Sequence, residues 1–317
     1  MNIFRDLLRP RSRRHRPPQP ELESSTEPIP SSVTDTTSSM EPARYYVHYD
    51  IDNPPAHPGN GWTRFVCISD THSRRFNVPP GDVLLHSGDL SSWGELPQLR
   101  KTIDWLKGLP HPAKVIIAGN HDVCLRSFLA LNHASAHRLL SALLGQRLDS
   151  RRPPRDTLAA QDLMRCQETR DAGIVYIEHE AAQIVTSNGR EWAFYGSPAT
   201  PRYALGAFQY SGMLSSVEGV DIYARIPPNT EILLTHTPAL GICDITKRGK
   251  HAGCHALRDR LESPDLSNCR LHVFGHIHEA QGVEVHPVGD GTDTLKVRVS
   301  VNAAMHDYNP IIVDLLD

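Results

Sequence analysis

Five short fragments of the sequence carry side chains that can bind metal ions, and each fragment directly follows an apolar run. Their aspartates, histidines and asparagine offer carboxylate oxygens, imidazole nitrogens and an amide oxygen, which are common ligands of divalent cations. One such fragment is weak evidence, because Asp-x-His and His-x-His occur readily by chance. Their repeated position after five apolar runs predicts one shared site. The fragments are Asp70-Thr-His72, Gly88-Asp89, Gly119-Asn120-His121-Asp122, Thr235-His236-Thr237 and Gly275-His276-Ile277-His278.

The apolar runs before these fragments are predicted to be β-strands, because β-branched and other large apolar residues dominate them. A helix is predicted between the second and third runs, where apolar residues recur at helical spacing from Leu96 to Leu106 and Pro97 suits the first turn. This alternation is typical of an α/β sheet. Open α/β sheets bind ligands at the carboxyl ends of their strands, so the five fragments are expected to converge. The first three strands are predicted at 63–69, 82–86 and 114–118.

The later part of the chain predicts further strands, most of them connected by turns that contain glycine or proline. Such connections favour a second sheet with more antiparallel character. Between the two groups of strands, a helical segment with apolar residues from Leu125 to Leu144 is followed by a polar stretch, 149–156, that is typical of a surface loop. The later strands are predicted at 174–177, 183–186, 191–195, 231–235, 271–274, 296–301 and 311–313.

The composition argues against several classes of protein. The 317 residues include 33 lysines and arginines against 36 aspartates and glutamates, so nucleic-acid binding by the folded domain is not expected. No stretch approaches the roughly 18 apolar residues of a membrane-spanning helix, and no membrane partner is expected. The amino terminus lacks a secretory signal and the six cysteines form no Cys-x-x-Cys, which favours free thiols and a cytoplasmic location.

Residues 1–43 differ in composition from the rest of the chain. Positions 1–16 hold six arginines and one aspartate, whereas positions 17–43 hold five carboxylates, six prolines and no lysine or arginine. Such a segment buries too little apolar surface to offset its ordering entropy, so a disordered leader is predicted at 1–43 and a folded domain at 44–317. The cluster from Arg9 to Arg16 is a nuclear-import or anionic-surface patch, a poor organelle presequence, or a solvated basic tail. The sequence identifies no protein partner for the leader.

The five fragments, in their order along the chain, resemble the signature of calcineurin-like metallophosphoesterases. Longer runs resemble the metallophosphoesterase-domain-containing (MPPED) family, and the resemblance covers roughly residues 61 to 317. It implies a four-layer α/β/β/α sandwich of two mixed sheets, an α/β fold with a two-metal site at the strand ends. The runs that carry it are Thr63–Arg74, Ile117–His121, Tyr195–Pro198, Gly253-Cys254, Leu271–Glu279 and Asn309–Ile312.

The resemblance implies two sets of metal ligands that share the carboxylate of Asp89. A bridging carboxylate suits two dications about 3.5–4 Å apart, because each oxygen faces one ion. The four imidazoles favour Mn, Fe, Zn or Ni over Mg, with Mn preferred here. The presence of His276 predicts a complete binuclear centre. One set is Asp70, His72, Asp89 and His278, and the other is Asp89, Asn120, His236 and His276.

The implied reaction is attack of a bimetal-activated water on a phosphoester. His121 follows a ligand without being one, and it is expected to donate a proton to the leaving group. Asp122 either orients His121 or is a helix-start carboxylate. A phosphodiesterase acting on small nucleotide-type or other phosphodiesters is predicted. The alternatives are a phosphomonoesterase or protein phosphatase that uses the same site, and a non-catalytic scaffold that retains the fold.

Substrate-binding residues are not assigned by the sequence. Arg74 and Arg75 follow the first fragment, but a solvated arginine pair is the commoner explanation for such neighbours. The segment from Tyr195 to Arg202, continuing through Phe208 and Tyr210, is either a substrate-facing loop or part of the core. A third group of cations is either a basic rim of the site or a solvated loop, and it consists of Lys247, Arg248 and Lys250.

Overall fold

The structure, a computed structural model, describes residues 42–125, 155–203, 206–211, 217–288 and 296–317. Nearly all of the predicted leader, 1–43, lies outside these ranges, as does the predicted helical segment beyond Leu125. The residues directly after Asp122, Val123–Leu125, form a single 3-10 turn. The first described strand begins at Ala43.

The described residues form fourteen strands and five α-helices. The strands are β1 (Ala43–Tyr46), β2 (Trp62–Ile68), β3 (Val83–Ser87), β4 (Ala113–Ile117), β5 (Ile174–Tyr176), β6 (Glu180–Val185), β7 (Glu191–Ser197), β8 (Thr200–Pro201), β9 (Gln209–Tyr210), β10 (Ile232–Thr235), β11 (Leu271–Phe274), β12 (Gly282–Pro287), β13 (Val297–Asn302) and β14 (Ile311–Leu316). The helices are α1 (Leu96–Lys107), α2 (Arg155–Arg165), α3 (Gln167–Asp171), α4 (Val217–Tyr223) and α5 (His255–Glu262). None of these helices is long and apolar enough to span a bilayer.

Twelve of the strands form two six-stranded mixed sheets. The first sheet has the order β1-β14-β2-β3-β4-β5, and the second has the order β12-β13-β11-β10-β7-β6. Strands β2 to β5 are mutually parallel in the first sheet, and β7, β10, β11 and β13 are mutually parallel in the second. The remaining pairs, at the edges and around β14, are antiparallel.

The prediction of a more antiparallel second sheet is wrong, because both sheets contain three parallel and two antiparallel pairs. Parallel neighbours need long crossover connections, and the second sheet has them. Helix α4 lies in the connection between β7 and β10, and α5 lies between β10 and β11. The glycines and prolines of these connections flank short helices as well as turns.

The two sheets pack face to face and are covered by helices on their outer faces, which confirms the predicted four-layer α/β/β/α sandwich. Strand β2 shows why its sequence is a continuous apolar run. Phe65 and Cys67 belong to the core between the sheets, whereas Val66 and Ile68 belong to a second core under α1 and α2. A third core, which includes Leu233 of β10, lies under α4 and α5. A strand that is buried on both faces does not show the alternation of polar and apolar residues that is typical of a half-exposed strand.

Helix α1 confirms the helix predicted from Leu96 to Leu106, with Pro97 in its first turn. Its buried face carries Leu99, Ile103 and Leu106 at helical spacing, and this face packs on the first sheet. Of the loop predicted at 149–156, residues 149–154 lie outside the described ranges. The prediction is wrong for residues 155 and 156, because α2 begins at Arg155. An acidic residue in the first turn of a helix is favourable, and this helix has Asp156 there.

Four strands are absent from the sequence prediction. Strand β1 carries exposed tyrosine and arginine, and edge strand β12 is only partly buried, so neither produces an apolar run. Strands β8 and β9 have two residues each and pair with one another inside the segment predicted as a substrate-facing loop or core. These elements depend on their partners, since so few residues carry little pattern of their own.

Candidate metal centre

The predicted ligands converge at the carboxyl ends of parallel strands from both sheets. Strands β2, β3 and β4 of the first sheet lead into the first three fragments, and β10 and β11 of the second sheet lead into the last two. Three groups of potential ligand atoms form there, and the atoms of each group lie within 4.8 Å of one another. The groups are Asp70 with His72 and His278, His72 with Asp89 and His121, and Asp70 with Asp89 and His236.

The first predicted ligand set is compact and only partly open to solvent. Nε2 of His278 lies 3.2 Å from Oδ1 of Asp70 and 3.4 Å from Nε2 of His72. Nε2 of His72 lies 3.8 Å from Oδ2 of Asp89. Asp70 and Asp89 are buried, whereas the two imidazoles are half-buried at the mouth of the site. Two imidazole nitrogens and two carboxylates thus face one small volume.

The second predicted set lies deeper, around His236. This residue is fully buried, and its Nδ1 donates a hydrogen bond of 2.9 Å to the carbonyl of Ser87. The donation leaves Nε2 facing Oδ1 of Asn120 at 3.0 Å and Oδ1 of Asp89 at 3.3 Å. A metal-binding histidine is commonly oriented by such a bond from its other ring nitrogen. The imidazole of His276 packs edge-on against this ring, with centroids 5.0 Å apart.

Four of the predicted ligand positions have a strained backbone. The φ angles of Asp70, His72, Asp89 and His276 are 54°, 46°, 52° and 68°. Residues other than glycine seldom adopt this left-handed region, and such strain concentrates at functional sites. The strained positions therefore coincide with predicted ligands that follow the ends of strands.

Two glycines allow the backbone to approach the carboxylates. A Cβ atom at Gly119 would lie 2.3 Å from Oδ1 of Asp89, and a Cβ atom at Gly275 would lie 1.9 Å from Oδ2 of Asp70. Both positions therefore exclude any side chain. Close to these glycines, the amides of His121 and His276 donate hydrogen bonds of 2.8 and 2.9 Å to the same two oxygens.

The electrostatics of the centre favour cations. Burial would raise the pKa of Asp70, but the hydrogen bond with His278 and the nearby charge of His236 hold that pKa below its ordinary value. The pKa of Asp89 is also lowered, since His236 outweighs the effect of burial. Burial lowers the pKa of His236, but Asp89 raises it overall to about 9. Two ionised carboxylates are thus buried together, and buried charges need opposite charges nearby.

The donor set fits divalent metal ions. Burial, reinforced by the charge of His236, lowers the pKa of His276 to about 4, so this imidazole is neutral at pH 7 and keeps a lone pair for coordination. Two carboxylates, an amide oxygen and four imidazoles match the ligands of first-row transition metals such as manganese, iron and zinc. The excluded Cβ positions at Gly119 and Gly275 further show that the backbone is shaped around the two carboxylates.

His121 lies beside the ligands and is oriented by a group that the sequence did not identify. Its Nδ1 donates a hydrogen bond of 2.7 Å to the carbonyl of Ser92, and its ring packs edge-on against His72 with centroids 4.8 Å apart. Nε2 is therefore the atom available for proton transfer. A backbone carbonyl has no residue-type signature, so no sequence motif could have indicated Ser92.

The structure does not support the prediction that Asp122 orients His121, because the carboxylate of Asp122 binds other groups. Asp122 is fully buried, and its carboxylate accepts hydrogen bonds from the amides of Leu90, Ser91 and Gly119 at 3.1, 2.8 and 2.8 Å. It also accepts a bond of 2.7 Å from the Ser91 hydroxyl. Burial, followed by the charge of Asp89, raises the pKa of Asp122 to about 6. The carboxylate ties together the loops after β3 and β4.

The residues considered for substrate binding lie in different parts of the structure, some in the hydrophobic cores and others along a cleft. Phe208 and Tyr195 are buried in the cores on the outer faces of the sheets. Arg74 contacts the carbonyl of His306 at 3.1 Å and lies over the ring of Phe76. The other cations line a cleft of about 570 Å³ that begins at His276, and those residues are Arg202, Lys247, Arg248 and Lys250.

One further imidazole at the rim was not predicted. The ring of His306 lies 5.8 Å from that of His278, and its Nδ1 lies 2.6 Å from a carboxylate oxygen of Asp307. His306 follows β13 by several residues and has no metal-binding motif around it. Only the return of this loop toward β2 brings it to the centre.

Comparisons with known proteins identify the family. A family model described as calcineurin-like phosphoesterase matches residues 63–280. The chain belongs to this family. It is similar to the human and mouse proteins named Metallophosphoesterase domain-containing protein 1, with 32% identity over 280 residues, which cover 85% of this chain and 74% of each relative. This confirms the resemblance found in the sequence.

A fungal protein shares a more limited region. The Emericella nidulans protein named Probable rhamnogalacturonate lyase C is 35% identical over 222 residues. These residues cover 70% of this chain, and the chain spans only 18% of that relative. Family membership and the converging ligands together assign the chain to metal-dependent phosphoester hydrolysis.

Proposed function

We propose that this protein is a phosphodiesterase that cleaves small nucleotide-type or other phosphodiesters at a binuclear metal centre. The observation that carries the proposal is the position of Asp89, whose Oδ2 faces His72 at 3.8 Å and whose Oδ1 faces His236 at 3.3 Å. A single carboxylate placed between two ligand sets is the arrangement that two adjacent cations require.

The two ligand sets would hold two divalent ions. When bound, the ions would supply Lewis acidity toward the phosphoryl oxygens and activate a water molecule at neutral pH. The four imidazoles favour manganese, iron, zinc or nickel over a site for magnesium alone, and manganese is the ion we propose. The residues would be Asp70, His72, Asp89 and His278 for one ion, and Asp89, Asn120, His236 and His276 for the other.

His121 is proposed to protonate the leaving oxygen. When the imidazole carries two protons, Nδ1 stays bonded to the Ser92 carbonyl and the proton on Nε2 is free to be donated. The bond to Ser92 holds the ring in one orientation, so the proton is presented at a fixed place beside His72. General acid catalysis of this kind typically contributes about 10²–10⁴-fold.

A diester is favoured over a monoester by the cleft next to His276. A phosphodiester carries an alcohol arm on each side of phosphorus, and a volume of about 570 Å³ beside the centre accommodates one such arm. We do not extend the lyase activity in the fungal relative's name to this chain, because the chain spans 18% of that protein.

A metal-by-substrate matrix tests the proposal. Metal-free protein is supplied with Mn, Fe, Zn, Ni or Mg and assayed on bis(p-nitrophenyl) phosphate, p-nitrophenyl phosphate and cyclic nucleotides. We expect hydrolysis of diesters with transition metals and little with Mg. Faster cleavage of the monoester would instead identify a phosphomonoesterase, and metal binding without any turnover would identify a scaffold.

A further inference from the structure

We propose that the cleft beside His276 binds a second phosphate group of the substrate, so that the preferred substrate is a phosphodiester with a terminal phosphate on one nucleoside arm. This inference rests on the proposed phosphodiesterase function and adds the class of substrate. We call this cavity the basic cleft, and its defining residues are Arg202, Tyr203, Lys247, Arg248, Lys250 and His276.

The basic cleft is continuous with the metal centre. His276 belongs to the second predicted ligand set, and it also lines the cleft. A substrate whose central phosphorus lies at the metal centre would therefore extend one arm past His276 into a volume of about 570 Å³. Four lysine and arginine side chains line this volume against the single carboxylate of Glu279.

None of the four cations forms an ion pair with a carboxylate of the described residues, and Glu279 is the one acidic side chain among the described residues that line the cleft. Elsewhere in those ranges, Arg64, Arg165, Arg190, Arg258 and Arg260 all pair with carboxylates. No such ion pair, and no side-chain hydrogen bond, joins the cations of the basic cleft to the described residues. Like charges gathered around one cavity repel one another and create a positive potential that attracts anions. Lysine and arginine bind phosphate oxygens through charge-assisted hydrogen bonds.

The loop that carries three of these cations is held in place by carboxylates that bind its backbone. Glu279, next to ligand His278, accepts a hydrogen bond of 2.6 Å from the amide of Lys247. Asp244 is buried and accepts bonds of 2.9 Å from the amides of Gly241 and Gly253. Both acids bind backbone amides, and no hydrogen bond or ion pair with a described residue holds the lysine and arginine side chains of the cleft. The loop is also tied to the turn that bears the ligands, so the cations keep their place relative to the centre.

Tyr203 supplies a surface for a nucleobase beside His276, in the same cleft as the cations. Its side chain is 84% exposed, and its ring meets that of His276 edge-on with centroids 6.3 Å apart. A base of any identity can stack on such a ring, because every base has a π-face. A nucleoside with a terminal phosphate matches a cleft that offers both an exposed aromatic ring and a group of cations.

The experiment compares dinucleotides with and without a terminal phosphate. The full chain, loaded with Mn, is assayed on thymidylyl-thymidine, on the same compound with a 5′- or 3′-terminal phosphate, and on bis(p-nitrophenyl) phosphate. We expect one phosphorylated dinucleotide to have a kcat/KM about 10-fold higher than the unphosphorylated one, mainly through KM, because charged hydrogen bonds contribute that much. The double change Lys247→Glu with Arg248→Glu should abolish the preference and leave bis(p-nitrophenyl) phosphate within about twofold.

A matched control and a binding measurement separate the two hypotheses. Arg100→Glu with Lys101→Glu makes the same charge change on the exposed face of α1, and it should keep the preference. In calorimetry, the wild type should bind thymidine 3′,5′-bisphosphate more tightly than thymidine 5′-monophosphate, and the cleft variant should not. If the bisphosphate and the monophosphate bind equally well and the dinucleotides with and without a terminal phosphate are cleaved equally fast, the phosphate subsite is refuted. The proposed phosphodiesterase function would be unaffected by that result. If no diester is cleaved, the phosphodiesterase fails, and the binding difference alone decides the subsite.

Discussion

Oδ1 of Asp89 lies 3.3 Å from Nε2 of His236, and the other oxygen of the same carboxylate faces His72. Asp89 follows a strand of the first sheet, whereas His236 follows a strand of the second. The contact therefore joins the two halves of the sandwich at the point where the proposed ions would be shared. If Asp89 serves both proposed ligand sets, its replacement should affect both.

Replacing Asp89 should empty both metal positions. We expect Asp89→Ala to lose more than half of the bound metal and to lower activity by more than the roughly 10–100-fold that changes of outer partners cost. Metal content is measured by elemental analysis after dialysis, alongside hydrolysis of bis(p-nitrophenyl) phosphate. Asp104→Ala, on the exposed side of α1, is the control. Full metal content with normal turnover would refute the shared role of Asp89.

Removing the imidazole of His121 should affect the leaving group and spare the metals. We expect His121→Ala to keep its metal content and to slow substrates with poor leaving groups by about 10²–10⁴-fold. Activated nitrophenyl esters should slow much less, because their leaving groups need no proton. The measurement is kcat across a series of esters with increasing leaving-group pKa. An equal loss for every ester would contradict proton donation by His121.

The metal-free protein should lose stability at alkaline pH because of His236. The folded-state pKa of His236 is raised to about 9, above the ordinary value of 6.5. Its protonated form therefore stabilises the fold fully below about pH 6.5, and this contribution disappears as the pH rises toward 9. Urea unfolding of metal-free protein at pH 6, 7.5 and 9 measures the slope. His236→Asn should remove most of it, and an unchanged slope would show that another group titrates.

Loss of the Asp122 carboxylate should destabilise the fold without changing proton donation. Asp122→Ala leaves the buried amides of Leu90, Ser91 and Gly119 without their acceptor, and each such loss costs about 1–3 kcal/mol. We expect the free energy of unfolding to fall by at least about 2 kcal/mol. The leaving-group dependence of the remaining activity should match that of the wild type. If Asp122→Ala keeps the stability of the wild type but its activity depends more steeply on the pKa of the leaving group, Asp122 does take part in proton donation.

Residue order predicts most of the centre because parallel strands all end at the same edge of their sheet. Asp70, Asp89 and Asn120 follow three neighbouring strands of one sheet, and His236 and His276 follow two neighbouring strands of the other. The strand order therefore accounts for the convergence within each sheet, and the packing of the two sheets brings the two groups together. Helix α1 could also be predicted from its own sequence, since its buried residues recur at helical spacing. The antiparallel character assigned to the second sheet failed, because short helices in its connections resemble turns.

Contacts that depend on the backbone could be known only from the folded chain. The carbonyl that orients His121 belongs to Ser92, 29 residues away, and a carbonyl is the same in every residue type. Asp122 follows a motif residue, yet its partners are amides of a different loop. Lys247 resembles any solvated lysine until Glu279 is seen to bind its amide. The sequence shows directly which side chains could bind metal ions. Hydrogen bonds to distant backbone groups, by contrast, form only when the chain has folded and the two sheets have packed together.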